Sequence, residues 1–179
     1  MPPSFKPPDL ISPSPKPPAP ATPHSPPSPR LPWANNFVSF GSFVVNKIAM
    51  PPADLEQAAR EAAQHAYAPY SKFSVGAALQ TADGSVFTGC NVENASFGLT
   101  NCAERTAVFS AVAAGHQRIN CIAIYTPTER ATSPCGACRQ VLREFGPDLK
   151  IVSTCNGEDR LESTLTQLLP DSFGPESLT

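Results

Sequence analysis

Nowhere in its 179 residues does this sequence carry an apolar run near the roughly eighteen that a membrane-spanning helix needs. Nor does a short apolar core follow a basic start in the manner of a secretory leader. Both absences predict a soluble protein, and unpaired thiols among its six cysteines favour a reducing, cytoplasmic compartment. Acids are nearly missing from one end: residues 1–50 hold a single one, Asp9, against four Lys/Arg, whereas residues 51–179 hold fourteen Asp/Glu against nine Lys/Arg. A net acidic domain repels a phosphate backbone, which argues against polymeric nucleic acid as substrate or partner. Histidine is reduced to three, and His24, His65 and His116 lack ligand spacing, so they read as surface or cap residues. No internal repeat is visible.

Proline is present in excess and unevenly placed. Sixteen of the 22 lie in residues 1–52, in stretches such as Ser12 to Pro32 that can neither donate regular backbone hydrogen bonds nor bury much surface. Residues 1–50 are expected to form a disordered or polyproline-like extension, with Met50 just ahead of the first helical pattern. Its acid-poor, Ser-rich composition suits an organelle transit segment, but the proline density opposes the amphipathic helix such segments form. The Pro2-Pro3 and Pro26-Pro27 contexts also permit weak docking to proline-recognising modules. The remaining residues, 51–179, are enough for one compact domain with one core.

Along that domain Asp54 is placed to cap a helix over Leu55–Ala66, which Pro69 interrupts. Phe73–Thr81 and Ser85–Asn91 read as a hairpin around Ala82-Asp83-Gly84. A second helix is expected over Cys102–Ala114, stopped by Gly115, and a strand over Ile119–Tyr125. A third helix is expected over Gly136–Phe145, stopped by Gly146, and a further strand over Leu149–Thr154, before a turn at Asn156-Gly157. The order αββαβαβ predicts a layered α/β domain with helices covering a mixed sheet.

The chemistry concentrates in Cys102-Ala103-Glu104 and in Cys135-Gly136-Ala137-Cys138. Two cysteines three residues apart at a helix start face one ion together, and Cys102 opens a separate helix. Both helix N-termini favour thiolate over thiol. Cys102, Cys135 and Cys138 thus offer zinc three thiolates, leaving a fourth position for a water whose protons Glu104 can carry. A CxxC pair alone would fit a redox dithiol or a closed zinc site with Cys90, Cys121, Cys155 or His116 as fourth ligand. The Cys-x-Glu at a second helix start favours the open site. Arg105 is placed to offset the charge of three thiolates by hydrogen bonding to a ligand sulfur. Cys90, Cys121 and Cys155 sit among apolar neighbours and read as small buried hydrophobes.

These residues resemble the cytidine deaminase family. The likeness extends through Ala68-Pro69-Tyr70-Ser71-Lys72-Phe73-Ser74-Val75-Gly76-Ala77-Ala78, Gly89-Cys90-Asn91-Val92-Glu93-Asn94-Ala95, Cys102 to Ala107 and Leu168 to Pro175, but not into residues 1–50. It implies a three-layer α/β/α domain with a five-stranded mixed sheet and one Zn²⁺ per chain on Cys102, Cys135 and Cys138. The implied reaction is hydrolytic deamination of free cytidine and deoxycytidine in pyrimidine salvage, with Glu104 protonating N3 and then the departing amino group. Asn91 and Glu93 match ribose-binding positions, Phe73 a wall of the base pocket and Ala103 a backbone amide that meets the base. Phe173 matches an aromatic reaching into a neighbouring subunit's site, which implies a homotetramer with shared sites. Phe97 stands where close relatives carry tyrosine, and Gly98 where they carry proline, so that loop is expected to be looser. Two other readings stay open: a deaminase of a nucleotide or nucleoside antibiotic, and a structural zinc module with a proline-rich docking tail.

Overall fold

The computed structural model describes residues 52–178, so the expected Pro-rich extension lies outside the described residues. Within them the chain runs α1 (Pro52–Ala63), β1 (Gly76–Thr81), β2 (Val86–Cys90), α2 (Ala103–Ala113), β3 (Ile119–Tyr125), α3 (Gly136–Phe145), β4 (Lys150–Thr154), β5 (Arg160–Thr164) and α4 (Leu165–Leu168). The five strands form one sheet in the order β2-β1-β3-β4-β5. Only β3 and β4 run parallel, joined across α3; the other neighbours are antiparallel, so the sheet is mixed.

Alternation along the strands sorts the helices into two layers. Ala78, Ala123 and Tyr125 turn to one face, against Leu55, Ala59 and Ala63 of α1. Ala77, Leu79, Ile122 and Ile124 turn to the other, where α2 and α3 contribute Ala103, Ala107, Val108, Ala111 and Leu142. Leu79, Ile122, Ile124 and Leu142 are fully buried, each worth about 1.5–3 kcal/mol of transfer free energy. Two glycines bring helices onto strands. A Cβ on Gly76 would lie 2.0 Å from the Ala59 carbonyl of α1, and one on Gly89 would lie 2.4 Å from the Ala107 nitrogen of α2.

Several boundaries differ from the sequence expectation. Asp54 is not the cap but lies in the first turn of α1, which ends at Ala63 rather than Ala66. The first strand begins at Gly76, because Asn91 side-chain bonds engage the backbone at Phe73 and Val75 and keep that stretch outside the regular ladder. Gly115 ends α2 as expected, at φ +92°, with His116 N–H donating to the Ala111 carbonyl and Gly115 N–H to Val112. The residue pattern missed β5, an edge strand of Arg-Leu-Glu-Ser-Thr whose side chains are mostly exposed. It also missed α4, although Thr164 and Gln167 form a reciprocal capping box there. Cys155 is buried, but Cys90 and Cys121 are only half-buried, which corrects their reading as interior residues. No helix among the described residues is long and apolar enough to cross a membrane.

Candidate metal centre and its cavity

Two helix starts and the loop after β3 converge at the carboxyl end of the parallel pair. Cys102 is the N-cap of α2 and Cys135 the N-cap of α3, both in extended backbone, and Cys138 follows one turn into α3. The Sγ atoms of Cys102 and Cys135 are 3.9 Å apart and those of Cys135 and Cys138 3.5 Å. All three sulfurs lie within 4.8 Å of one another and form the one such group among the described residues. Sulfurs on a tetrahedral zinc at about 2.3 Å stand roughly 3.8 Å apart, so the donor set fits that ion in spacing and in chemistry.

Three of the four alternative fourth ligands have partners elsewhere, and Cys121 lies outside the cluster of three sulfurs. The Cys90 thiol meets the His65 carbonyl at 3.3 Å, and Cys155 Sγ lies 3.2 Å from the Asp159 carbonyl. His116 Nδ1 faces Asp83 at 3.4 Å, with its ring against Phe87.

The thiols interact strongly. Cys102 is pulled down to about 5, first by its hydrogen bond with Cys138 and then by the guanidinium of Arg105, whose Nη2 lies 3.4 Å from the sulfur. Cys138 is pushed up by the same sulfur contact and by burial. Arg105 Nη2 also reaches the Thr100 carbonyl at 3.3 Å, while its buried Nε has no hydrogen-bond partner among the described residues. Glu104, in the first turn of α2, is only 5% exposed, and burial chiefly raises its carboxyl above the ordinary range. Its own backbone N–H opposes that shift, and the Cys102 charge adds to it.

A cavity of about 340 Å³ opens at this point, lined by Cys102, Glu104 and Cys135 at one end and by Phe73, Asn91 and Glu93 at the other. That volume is in the range of small-molecule sites. Asn91, 8% exposed, donates from Nδ2 to the Phe73 carbonyl at 2.8 Å and accepts from Val75 N–H at 2.8 Å. Glu93 accepts from the Tyr70 and Ser71 amides and from the Ser71 hydroxyl. Ala103 is fully buried as the first residue of α2, where its N–H has no acceptor within the helix. Phe173 does not line this cavity; it is 59% exposed, its carbonyl held by Gln140 of α3 at 2.9 Å.

Phe97 is 75% exposed and meets the Tyr70 ring edge-on at 5.9 Å. Gly98 lies in a short 3-10 turn closed by Ser96–Leu99 and Phe97–Thr100 backbone bonds, not in the looser loop expected for it. Thr126 and Thr132 on the cavity floor, whose hydroxyls are 3.3 Å apart, were not singled out from the sequence; nothing marks them there beyond their flanking position on the loop before Cys135.

Comparison with known proteins agrees with this geometry. The family described as cytidine and deoxycytidylate deaminase zinc-binding region matches residues 52–154. A cytidine deaminase of Halalkalibacterium halodurans is 50% identical over 119 residues, covering 66% of this chain and 90% of that protein. One of Sporosarcina psychrophila is 46% identical over 121 residues, covering 67% and 89%. A crystal structure of cytidine deaminase from Burkholderia pseudomallei shares 54% identity over 69% of this chain and 100% of that one, with a TM-score of 0.67.

Proposed function

The chain belongs to the cytidine and deoxycytidylate deaminase family, and from that premise we propose how its residues divide the zinc-dependent hydrolysis of free cytidine and deoxycytidine to uridine and deoxyuridine plus ammonia. Cys102, Cys135 and Cys138 would hold one zinc ion per chain. When bound, zinc supplies the Lewis acidity that makes a water nucleophilic near neutral pH.

Glu104 performs the proton transfers. It takes a proton from the attacking water and gives it to ring N3 as the C4–O bond forms. It then moves a second proton from the new C4 hydroxyl to the exocyclic nitrogen. The C4–N bond breaks with its electron pair on nitrogen, and ammonia leaves. A carboxyl held above its ordinary range by burial suits a group that must both accept and donate near neutrality. The Ala103 amide meets the base, Phe73 walls it, and Asn91 and Glu93 receive the sugar hydroxyls through charge-assisted and amide hydrogen bonds. Phe173 extends to a neighbouring subunit's cavity in a homotetramer; its exposure supports that role.

The observation that carries this reading is a buried carboxylate opening onto a nucleoside-sized cavity beside three converging thiols. Glu93 is held below the ordinary carboxylate range, chiefly by the Ser71 hydroxyl, so it is anionic at neutral pH and disfavours a phosphorylated sugar. The test is ammonia release from cytidine against deoxycytidylate. Cytidine is expected to be the better substrate, and a much faster nucleotide would overturn the assignment.

A further inference from the structure

Glu93 does more than line the cavity. Its two carboxylate oxygens offer about four lone-pair sites, and three are filled from one short turn. Oε2 accepts from Tyr70 N–H at 2.8 Å and from Ser71 N–H at 3.2 Å, and Oε1 accepts from the Ser71 hydroxyl. Among the described residues, what remains is a single acceptor site on Oε1. The direction of that site is set by the Ser71 hydroxyl, which is itself oriented because it accepts from Phe73 N–H at 3.0 Å.

The turn bears the marks of a constrained segment. Lys72, between Ser71 and Phe73, takes φ +60°, a left-handed conformation that a residue with a Cβ adopts only when its surroundings impose it. Its N–H is tied to the Ala68 carbonyl at 3.1 Å. The base wall is pinned independently, since Asn91 holds the Phe73 carbonyl and the Val75 amide at 2.8 Å each. Removing the Ser71 hydroxyl therefore leaves Phe73 anchored through Asn91 and Oε2 anchored through two amides, but releases Oε1.

We infer that Ser71 is a positioning residue that sets the sugar-hydroxyl selectivity of this site, by aiming the one free acceptor of Glu93 into the cavity. The inference rests on the deaminase reading above. Ser71 acts through the Glu93 carboxylate, so its effect is on recognition of the sugar and not on proton transfer.

The test compares the full-length zinc enzyme with Ser71→Ala and Ser71→Thr on cytidine and on 2′,3′-dideoxycytidine, which lacks both sugar hydroxyls. The parent is expected to prefer cytidine. Ser71→Ala should raise KM for cytidine about tenfold, in keeping with one hydrogen bond to a charged group, with kcat and the dideoxynucleoside rate changed less than about twofold. Ser71→Thr, which keeps the hydroxyl, should retain the parent's preference. An equal loss on both substrates overturns the inference, as does an unchanged preference in Ser71→Ala. If Ser71→Ala does not fold, Ser71→Cys replaces it with the same two outcomes, a thiol being a weak donor. A parent that releases ammonia from neither nucleoside removes the deaminase reading and this inference with it; a parent that prefers cytidine, with a Ser71→Ala variant that prefers it equally, removes the inference alone.

Discussion

At the scale of single residues, the site's chemistry is set by how its charges are offset. Three thiolates on a divalent cation leave a net charge near −1, which makes a water there less acidic than in a site of neutral histidines. The Arg105 guanidinium, 3.4 Å from Cys102 Sγ, supplies compensating charge. Arg105→Gln should then lower kcat by about tenfold or more, the roughly 1.5–3 kcal/mol of one hydrogen bond to a charged group acting on reactivity, while lowering unfolding free energy by less than that. Denaturant titration beside steady-state kinetics checks this, and equal losses in both contradict it. Glu93 gives a pH prediction of definite sign. The Ser71 bonds depress its carboxyl, so the anionic form proposed to receive a sugar hydroxyl is fully present above the ordinary carboxylate value and is lost only as pH falls through the depressed one. KM for cytidine should stay flat from pH 8 to about pH 5, above the unperturbed Glu value of about 4.3. A KM that climbs between pH 7 and pH 5 for cytidine but not for 2′,3′-dideoxycytidine would show Glu93 titrating higher than its surroundings dictate.

At the scale of elements, the site depends on helices lying unusually close to the strands. Gly76→Ala would drive a methyl into the Ala59 carbonyl and Ala63 nitrogen of α1, and should cost about 3 kcal/mol or more of stability, read as a lowered melting temperature. Gly89→Ala pushes instead on Ala103 and Ala107 of α2, the helix that carries Cys102 and Glu104, so it should lower zinc content as well as stability. Full zinc occupancy in Gly89→Ala would contradict the idea that this approach sets the site. Much of this level was legible in the sequence. The CxxC spacing and the Cys-x-Glu put three sulfurs on two helix starts because N-cap positions and one-turn spacing fix direction locally. The strand Ile119–Tyr125 and the helix Gly136–Phe145 carried patterns that matched their eventual bounds. What could not be read was decided by partners distant in sequence. Phe73 to Val75 reads as the start of a strand, yet bonds from Asn91 hold it out of the ladder. The edge strand β5 has too little to bury to show a period, and the half-buried states of Cys90 and Cys121 depend on what the sheet leaves uncovered. Ser71 carried no signal of its own, because its importance comes from a carboxylate 22 residues away.

At the scale of the whole molecule, sites are expected to be shared between chains and the proline-rich extension to be dispensable for turnover. Phe173→Ala and Glu104→Gln chains should each be poorly active alone. Refolded together they should regain part of the parent rate, because a mixed assembly pairs an intact Glu104 with an intact Phe173 from its neighbour. No recovery on mixing would mean that Phe173 serves only its own chain. A version beginning at Met50 should match the full chain in kcat/KM for cytidine, since the family match begins at residue 52; a large drop would give residues 1–49 a catalytic part. The most direct measurement counts zinc per chain and follows ammonia release from cytidine for the parent and for Glu104→Gln. The prediction is about one zinc in both, with turnover reduced by at least about 10²–10⁴-fold in the variant, as loss of a positioned proton carrier requires. A Glu104→Gln chain that keeps its zinc and still releases ammonia at the parent rate would contradict the account at its centre.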